Sequence, residues 1–215
     1  MGIQPEAEKP SDNHSLKERE RWGGKNTICI MNIYLIGYRC TGKTSVGKIL
    51  AKSLNLPFVD ADAAVEKENG MTISEMVASF GWNYFREKEK TMIRGLSALG
   101  GQVIATGGGV ILDPENVRRM KETGRVVWLK AGAEAIEQRL LADVKTADQR
   151  PSLTGKKLTD EIKETLEIRT PLYENAADFS VDADDMPVDA IAQKVADVVQ
   201  KSSRPISKIE IQGEA

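Results

Sequence analysis

Gly37-Tyr38-Arg39-Cys40-Thr41-Gly42-Lys43-Thr44 is the stretch from which the rest of the chain can be read. Its GxxxxGKT spacing is that of a phosphate-binding loop: the glycines let the backbone wrap an anion, so that successive N–H groups point at it. Lys43 then reaches the β- and γ-phosphates of a nucleoside triphosphate as a point charge, and the Thr44 hydroxyl is placed to ligate Mg²⁺. The flanks separate this from an ordinary glycine turn. Asn32-Ile33-Tyr34-Leu35-Ile36 is short, apolar and β-branched, as a buried strand is. Downstream, Val46, Ile49, Leu50 and Leu54 recur at helical spacing with Lys48 and Lys52 between them. A helix opening at Lys43-Thr44-Ser45 adds the positive end of its dipole to the anion site. The use of the triphosphate stays open at this point: transfer to a small molecule, hydrolysis coupled to motion, or nucleotide sensing.

At 215 residues, with 40% hydrophobic and 29% charged positions, the chain has room for one α/β core with small inserted lids and no second large domain. Lys and Arg number 30 against 32 Asp and Glu, so there is no basic excess of the kind that nucleic-acid binding requires, and anion binding must be local. Of the two cysteines, Cys29 and Cys40, the second lies inside the phosphate loop, where a disulfide would distort the site. A reducing cytoplasm is therefore expected. No apolar run reaches the length of a membrane span, and the N-terminus lacks a signal-peptide pattern. Residues 1–30 read as a disordered or weakly helical extension, residues 31–200 as the folded domain and residues 201–215 as a tail. The single histidine, His14, falls in the extension, which excludes histidine-based chemistry from the domain.

In chain order, a second strand at Leu56-Pro57-Phe58-Val59 ends in Asp60-Ala61-Asp62. These two carboxylates either sit beside the phosphate loop at the C-terminal end of a parallel sheet or cap a helix from Ala63 to about Asn69. Gly70 stops that helix, and Thr72 with Glu75 forms a capping box for a short one over Ile73–Phe80. Gly81 then separates it from a helix over about Trp82–Leu99, where Arg86 stands in a charge run that reads by itself as a solvated face. A third strand, Gln102–Ala105, ends in Thr106-Gly107-Gly108-Gly109. Three consecutive glycines point to close approach of a ligand, against the alternative of a flexible turn. Pro114 opens a helix to about Thr123 with Gly124 as its stop, and Arg125–Leu129 is the fourth strand. After a helix at Ala133–Leu141, residues 142–157 turn polar and hold Arg150 before a proline, as a lid or as a surface loop. Leu158 to about Tyr173 is helical and carries Arg169; Phe179–Asp182 is a fifth strand and Val188–Val199 a closing helix.

Taken together, GYRCTGKTSVGK, the DAD at 60–62, the FREKE around Arg86, the ATGGG ending at Gly109, the QRP at Arg150 and the IRTPLY at Arg169 resemble the shikimate kinases, a nucleoside-monophosphate-kinase-like branch of P-loop proteins. The resemblance covers about residues 31–200. It implies a three-layer α/β fold with a five-stranded parallel sheet in the order 2-3-1-4-5, a substrate-binding region at about 60–100 and a lid at about 142–157. It further implies that residues 37–45, Gly37 and Ser45 included, cradle ATP, with Arg139 against the adenine and Arg150 on the γ-phosphate. Thr44 and Asp60 would hold Mg²⁺. Lys43, Asp62 and Arg150 would carry the transfer, with Asp62 accepting hydrogens from shikimate hydroxyls. Arg86 and Arg169 would hold the shikimate carboxylate, and Gly107, Gly108 and Gly109 its ring. One departure is the set Tyr38-Arg39-Cys40, where small residues and proline are more usual. ATP and shikimate are then the only expected partners, with no nucleic acid or membrane, and the protein is expected to be a monomer. Gluconate kinase, with an acceptor that also joins a carboxylate to hydroxyls, is the nearest enzymatic alternative. A nucleoside monophosphate kinase and a nucleotide-gated binding protein lie further off.

Overall fold

The computed structural model describes residues 31–142 and 157–201. The extension, the tail beyond Lys201 and most of the expected lid, Arg150 included, lie outside the described residues.

Strand β1 (Asn32–Ile36) is buried along its whole length, as a strand covered on both faces of a parallel sheet must be. It is the central strand of five. β2 (Phe58–Asp60), β3 (Val103–Ala105), β4 (Gly124–Lys130) and β5 (Phe179–Asp182) complete an all-parallel sheet in the order β2-β3-β1-β4-β5, as expected. Leu35 pairs with Ala105 on one side and with Val127 on the other. Alternation along β1 divides the core in two. Ile33 and Leu35 pack with Val46 and Leu50 of α1 (Lys43–Leu54) and with Ile191 and Val195 of α7 (Val188–Lys201). On the other face, Tyr34 and Ile36 meet Ile93 and Leu96 of α3 (Ile73–Ser97), Met120 of α4 (Pro114–Thr123) and Tyr173 of α6 (Leu158–Ala176). Helices α2 (Ala61–Asn69) and α5 (Ala133–Ala142), with a 3-10 turn at Val110–Leu112, complete the described elements.

Several boundaries differ from the expectation, each for a local reason. Helix α2 starts at Ala61, two residues early, because Asp60 is its N-cap and accepts a hydrogen bond from the Ala63 amide at 3.3 Å. The two helices expected on either side of Gly81 run on as α3 with a break at that residue (φ 80, ψ 169), and the Thr72–Glu75 capping box is formed. Helix α6 passes through Pro171 to Ala176; the fully buried Tyr173 stacks on Trp128 at 5.7 Å, and this packing carries the last turn across the missing donor. Gly124 caps α4 at its C-terminal end, as expected, and is at the same time the first residue of β4, in extended conformation. A β-carbon there would stand 2.3 Å from the Asn32 carbonyl oxygen and 2.7 Å from the Tyr34 ring, so a side chain would hold β4 off β1.

Candidate active site

Because β1 and β3 are neighbours, the loops that follow them meet at the C-terminal edge of the sheet. The loop after β1 enters α1 through Gly42 at φ 92, a left-handed turn that glycine adopts at no cost. The Lys43 ammonium donates to the carbonyls of Gly37 and Tyr38 at 2.8 and 2.6 Å, and the Thr41 hydroxyl donates to Tyr38 at 2.9 Å, so the loop is closed on itself. The Thr44 hydroxyl donates to Asp60 Oδ2 at 2.8 Å. Asp60 thus caps α2 and lines the phosphate-loop side at once, so the two placements its sequence position allowed are compatible.

Two cavities adjoin here. The first is a cleft lined by Cys40 to Val46, Asp60 and Thr106, and closed on its far side by Arg139, Met186, Val188 and Ile191. Arg139 is fixed there by hydrogen bonds to the carbonyls of Ala183 and Asp184, the latter at 2.8 Å. Met186 and Val188, in and just after the β5–α7 turn, form an apolar wall that no motif in the sequence announced.

The second cavity gathers Asp62, Arg86, Glu89, Gly107 to Gly109 and Arg169 against an apolar wall of Ile73, Trp82 and Phe85. Asp62 and Gly108 line both cavities and so stand at their junction. Arg86 donates to Glu89 Oε2 at 2.6 Å and lies over the rings of Trp82 and Phe85 at 5.4 and 5.1 Å. Arg169 donates to the Gly108 carbonyl at 3.1 Å, and the Tyr173 hydroxyl donates to the same oxygen at 2.5 Å. Side chains in place of Gly107 and Gly109 would displace these charged groups. A β-carbon at Gly107 would fall 2.5 Å from Glu89 Oε1 and 2.6 Å from Asp62 Oδ1, and one at Gly109 would fall 2.2 Å from an Arg86 nitrogen.

Glu89 is the charged residue of the second cavity that sequence reasoning missed. It is 2% exposed, and burial pushes its carboxyl up to about 7 against the opposing pull of the Arg86 guanidinium, with the Asp62 charge adding to the rise. Its signal was the i, i+3 spacing to Arg86, hidden in a run of charges that reads as solvent-facing. Tyr38 and Arg39 were expected to cradle the nucleotide, yet both line the second cavity, and Gly37 lines neither. Gly37 packs instead on β4, where a β-carbon would stand 2.6 Å from the Leu129 carbonyl oxygen. Burial also raises the Tyr38 phenol. Among the described residues no group of three or more His, Cys, Asp or Glu side chains is arranged to hold a metal.

A family model described as shikimate kinase matches residues 39–200. A shikimate kinase of Syntrophus aciditrophicus is 44% identical over 172 residues, covering 76% of this chain and 88% of that protein. One from Thermodesulfovibrio yellowstonii is 44% identical over 164 residues, covering 76% and 92%. Among solved structures, the shikimate kinase from Acinetobacter baumannii in complex with shikimate is similar with a TM-score of 0.74 at 32% identity, covering 80% of this chain and 93% of that one. That from Aquifex aeolicus follows with 0.67 at 34% identity, covering 79% and 96%.

Proposed function

This chain belongs to the shikimate kinase family, and we propose that it transfers the γ-phosphoryl group of ATP to the 3-hydroxyl of shikimate, releasing ADP. The observation that carries this reading is the junction at Asp62 and Gly108, where a cleft built on a phosphate loop opens beside a pocket holding a carboxylate, two guanidiniums and an apolar wall.

Each group then has a role. The loop amides and Lys43 hold the phosphates, Arg139 with Met186 and Val188 encloses the base, and Arg86 and Arg169 meet the acceptor carboxylate with planar forks. Glu89 keeps the Arg86 fork in place. Asp62 accepts the hydrogen of the attacking hydroxyl and aims its oxygen at the phosphorus. In a loose, metaphosphate-like transfer little deprotonation is needed early, so this alignment matters more than basicity. Thr44 and Asp60 offer hard oxygen donors 2.8 Å apart, which suits Mg²⁺ held by one or two protein oxygens and the phosphates, and that ion would neutralise charge on the triphosphate. Arg150, in the segment 142–157, is assigned as the lid arginine that adds charge at the γ-phosphate. The catalytic domain is residues 31–200 and its acceptor-binding region about 60–100. Among the described residues no helix is long and apolar enough to cross a membrane; we assign the enzyme to the cytosol, where ATP is supplied and the Cys40 thiol stays reduced.

The wall of Ile73, Trp82 and Phe85 favours a ring-shaped acceptor over the open chain of gluconate, which would set hydroxyls against aromatic faces. Measuring ADP release with shikimate, gluconate and nucleoside monophosphates in parallel tests the reading. Turnover with shikimate at least about a hundredfold above the others is expected, given the cost of leaving buried polar groups unpaired. Preference for another acceptor would reject it.

A further inference from the structure

Arg39 sits on the crown of the phosphate loop but sends its guanidinium to Glu161, in the first turn of α6. The side chains are only 11% and 2% exposed. An ion pair taken this far out of water rarely adds net stability over an apolar pair of the same size, and what it does supply is a fixed geometry.

The crown is a segment that needs holding. It has no glycine between Gly37 and Gly42, and Cys40 lies at φ 58, in the left-handed region that a residue with a side chain disfavours. From within, Thr41 and Lys43 brace the carbonyls of Gly37 and Tyr38. From the acceptor side, Gly108 abuts it so closely that a β-carbon there would meet the Arg39 amide nitrogen at 3.3 Å. Glu161 takes hold of it from a third direction.

Helix α6 is suited to that task. Glu161, Thr165, Arg169 and Tyr173 recur every fourth residue and so share one face. The first engages the phosphate loop; the last two both bond the Gly108 carbonyl on the acceptor loop, at 3.1 and 2.5 Å. A rigid element about 18 Å long therefore touches the donor side at one end and the acceptor side at the other.

We propose that Arg39 and Glu161 are positioning residues whose ion pair clamps the phosphate loop to the helix bearing Arg169, fixing the spacing between phosphoryl donor and acceptor. This rests on the reading of the site as a phosphotransferase. Transfer tolerates little misplacement, an ångström being worth about a hundredfold in rate, whereas binding of either substrate alone draws on many other groups of its cavity.

Steady-state kinetics of Arg39→Gln, Glu161→Gln and the double variant test it, beside wild type and with melting temperatures recorded. Each single change is expected to lower kcat tenfold or more while KM for ATP and for shikimate stays within about threefold. The double variant should be no slower than the slower single one, and Arg39→Lys should recover part of the loss. Unchanged kcat with lowered melting temperature, or additive losses in the double variant, would overturn the clamp. So would a raised shikimate KM in Arg39→Gln with Glu161→Gln neutral, since Arg39 would then be a direct acceptor contact. If the glutamine variants do not fold, the apolar pair Arg39→Met with Glu161→Leu replaces them: slow turnover supports the clamp and wild-type turnover overturns it. Absence of shikimate phosphorylation by the wild type would overturn the functional reading and the clamp with it, whereas unaffected variants beside an active wild type overturn the clamp alone.

Discussion

Asp62 occupies the wall shared by the two cavities, where a β-carbon at Gly107 would stand 2.6 Å from its Oδ1 and displace it. Under the proposed function a carboxylate so placed acts on the acceptor hydroxyl. Asp62→Asn is expected to cut single-turnover transfer by about a hundredfold to ten-thousandfold, the range of a lost acid–base or orienting group, while ATP affinity in a nucleotide titration changes little. Transfer at near wild-type rate would remove Asp62 from its role. Glu89 gives a second outcome at this scale. Its carboxyl titrates at about 7 in the folded protein against an ordinary 4.5, raised first by burial, so the folded state binds the extra proton between those values. The resulting stabilisation is complete below about pH 4.5 and is lost as the pH rises through about 7, by at most about 3 kcal/mol. Glu89→Gln should remove this slope, so that the melting temperatures of wild type and variant diverge between pH 5 and 7.5; parallel curves would contradict it. Asp60 and Asp62 were legible from their place at a strand end. Arg86 and Glu89 were not legible as a pair, because burial on a helix depends on what packs over it and a run of charges does not disclose that.

At the scale of elements, the features that escaped the sequence all arise from tertiary approach. The break at Gly81 was legible because glycine marks the φ of 80 found there. Gly124 was legible as the stop of α4 but not in its second role: it lets β4 lie against β1, with a backbone oxygen where a β-carbon would go. Since backbone cannot swing aside as a side chain can, Gly124→Ala should destabilise the fold by about 2–3 kcal/mol, roughly 4–12 °C in melting temperature. Activity per folded molecule should survive, and a melting curve unchanged from wild type would show that the strands can part without cost. Helix α6, expected to end at about Tyr173, runs on to Ala176 because Tyr173 is locked between Trp128 and the Gly108 carbonyl. Burial that raises the Tyr173 phenol keeps it a neutral donor to that carbonyl.

Across the whole molecule, the parallel sheet and its strand order were implied by the resemblance to the shikimate kinases that the phosphate loop and the later motifs carry, and the structure has that order. Convergence of the arginines could not be read from periodicity, since Arg86 and Arg169 stand far apart in sequence and meet only through the packing of α3 and α6 on one face of the sheet. Among the described residues, those that line the two cavities fall between Tyr38 and Ile191. Removing residues 1–25 is accordingly expected to leave kcat and both KM values unchanged within about twofold, and a loss of rate in the truncated protein would assign the extension a part in catalysis. The most direct test of phosphoryl transfer across the Asp62–Gly108 junction is ³¹P NMR of the purified protein with ATP, Mg²⁺ and shikimate. The γ-phosphate resonance should give way, in equal amount with ADP, to a phosphomonoester coupled to the proton on carbon 3 of shikimate. Release of inorganic phosphate with shikimate left unmodified would contradict it.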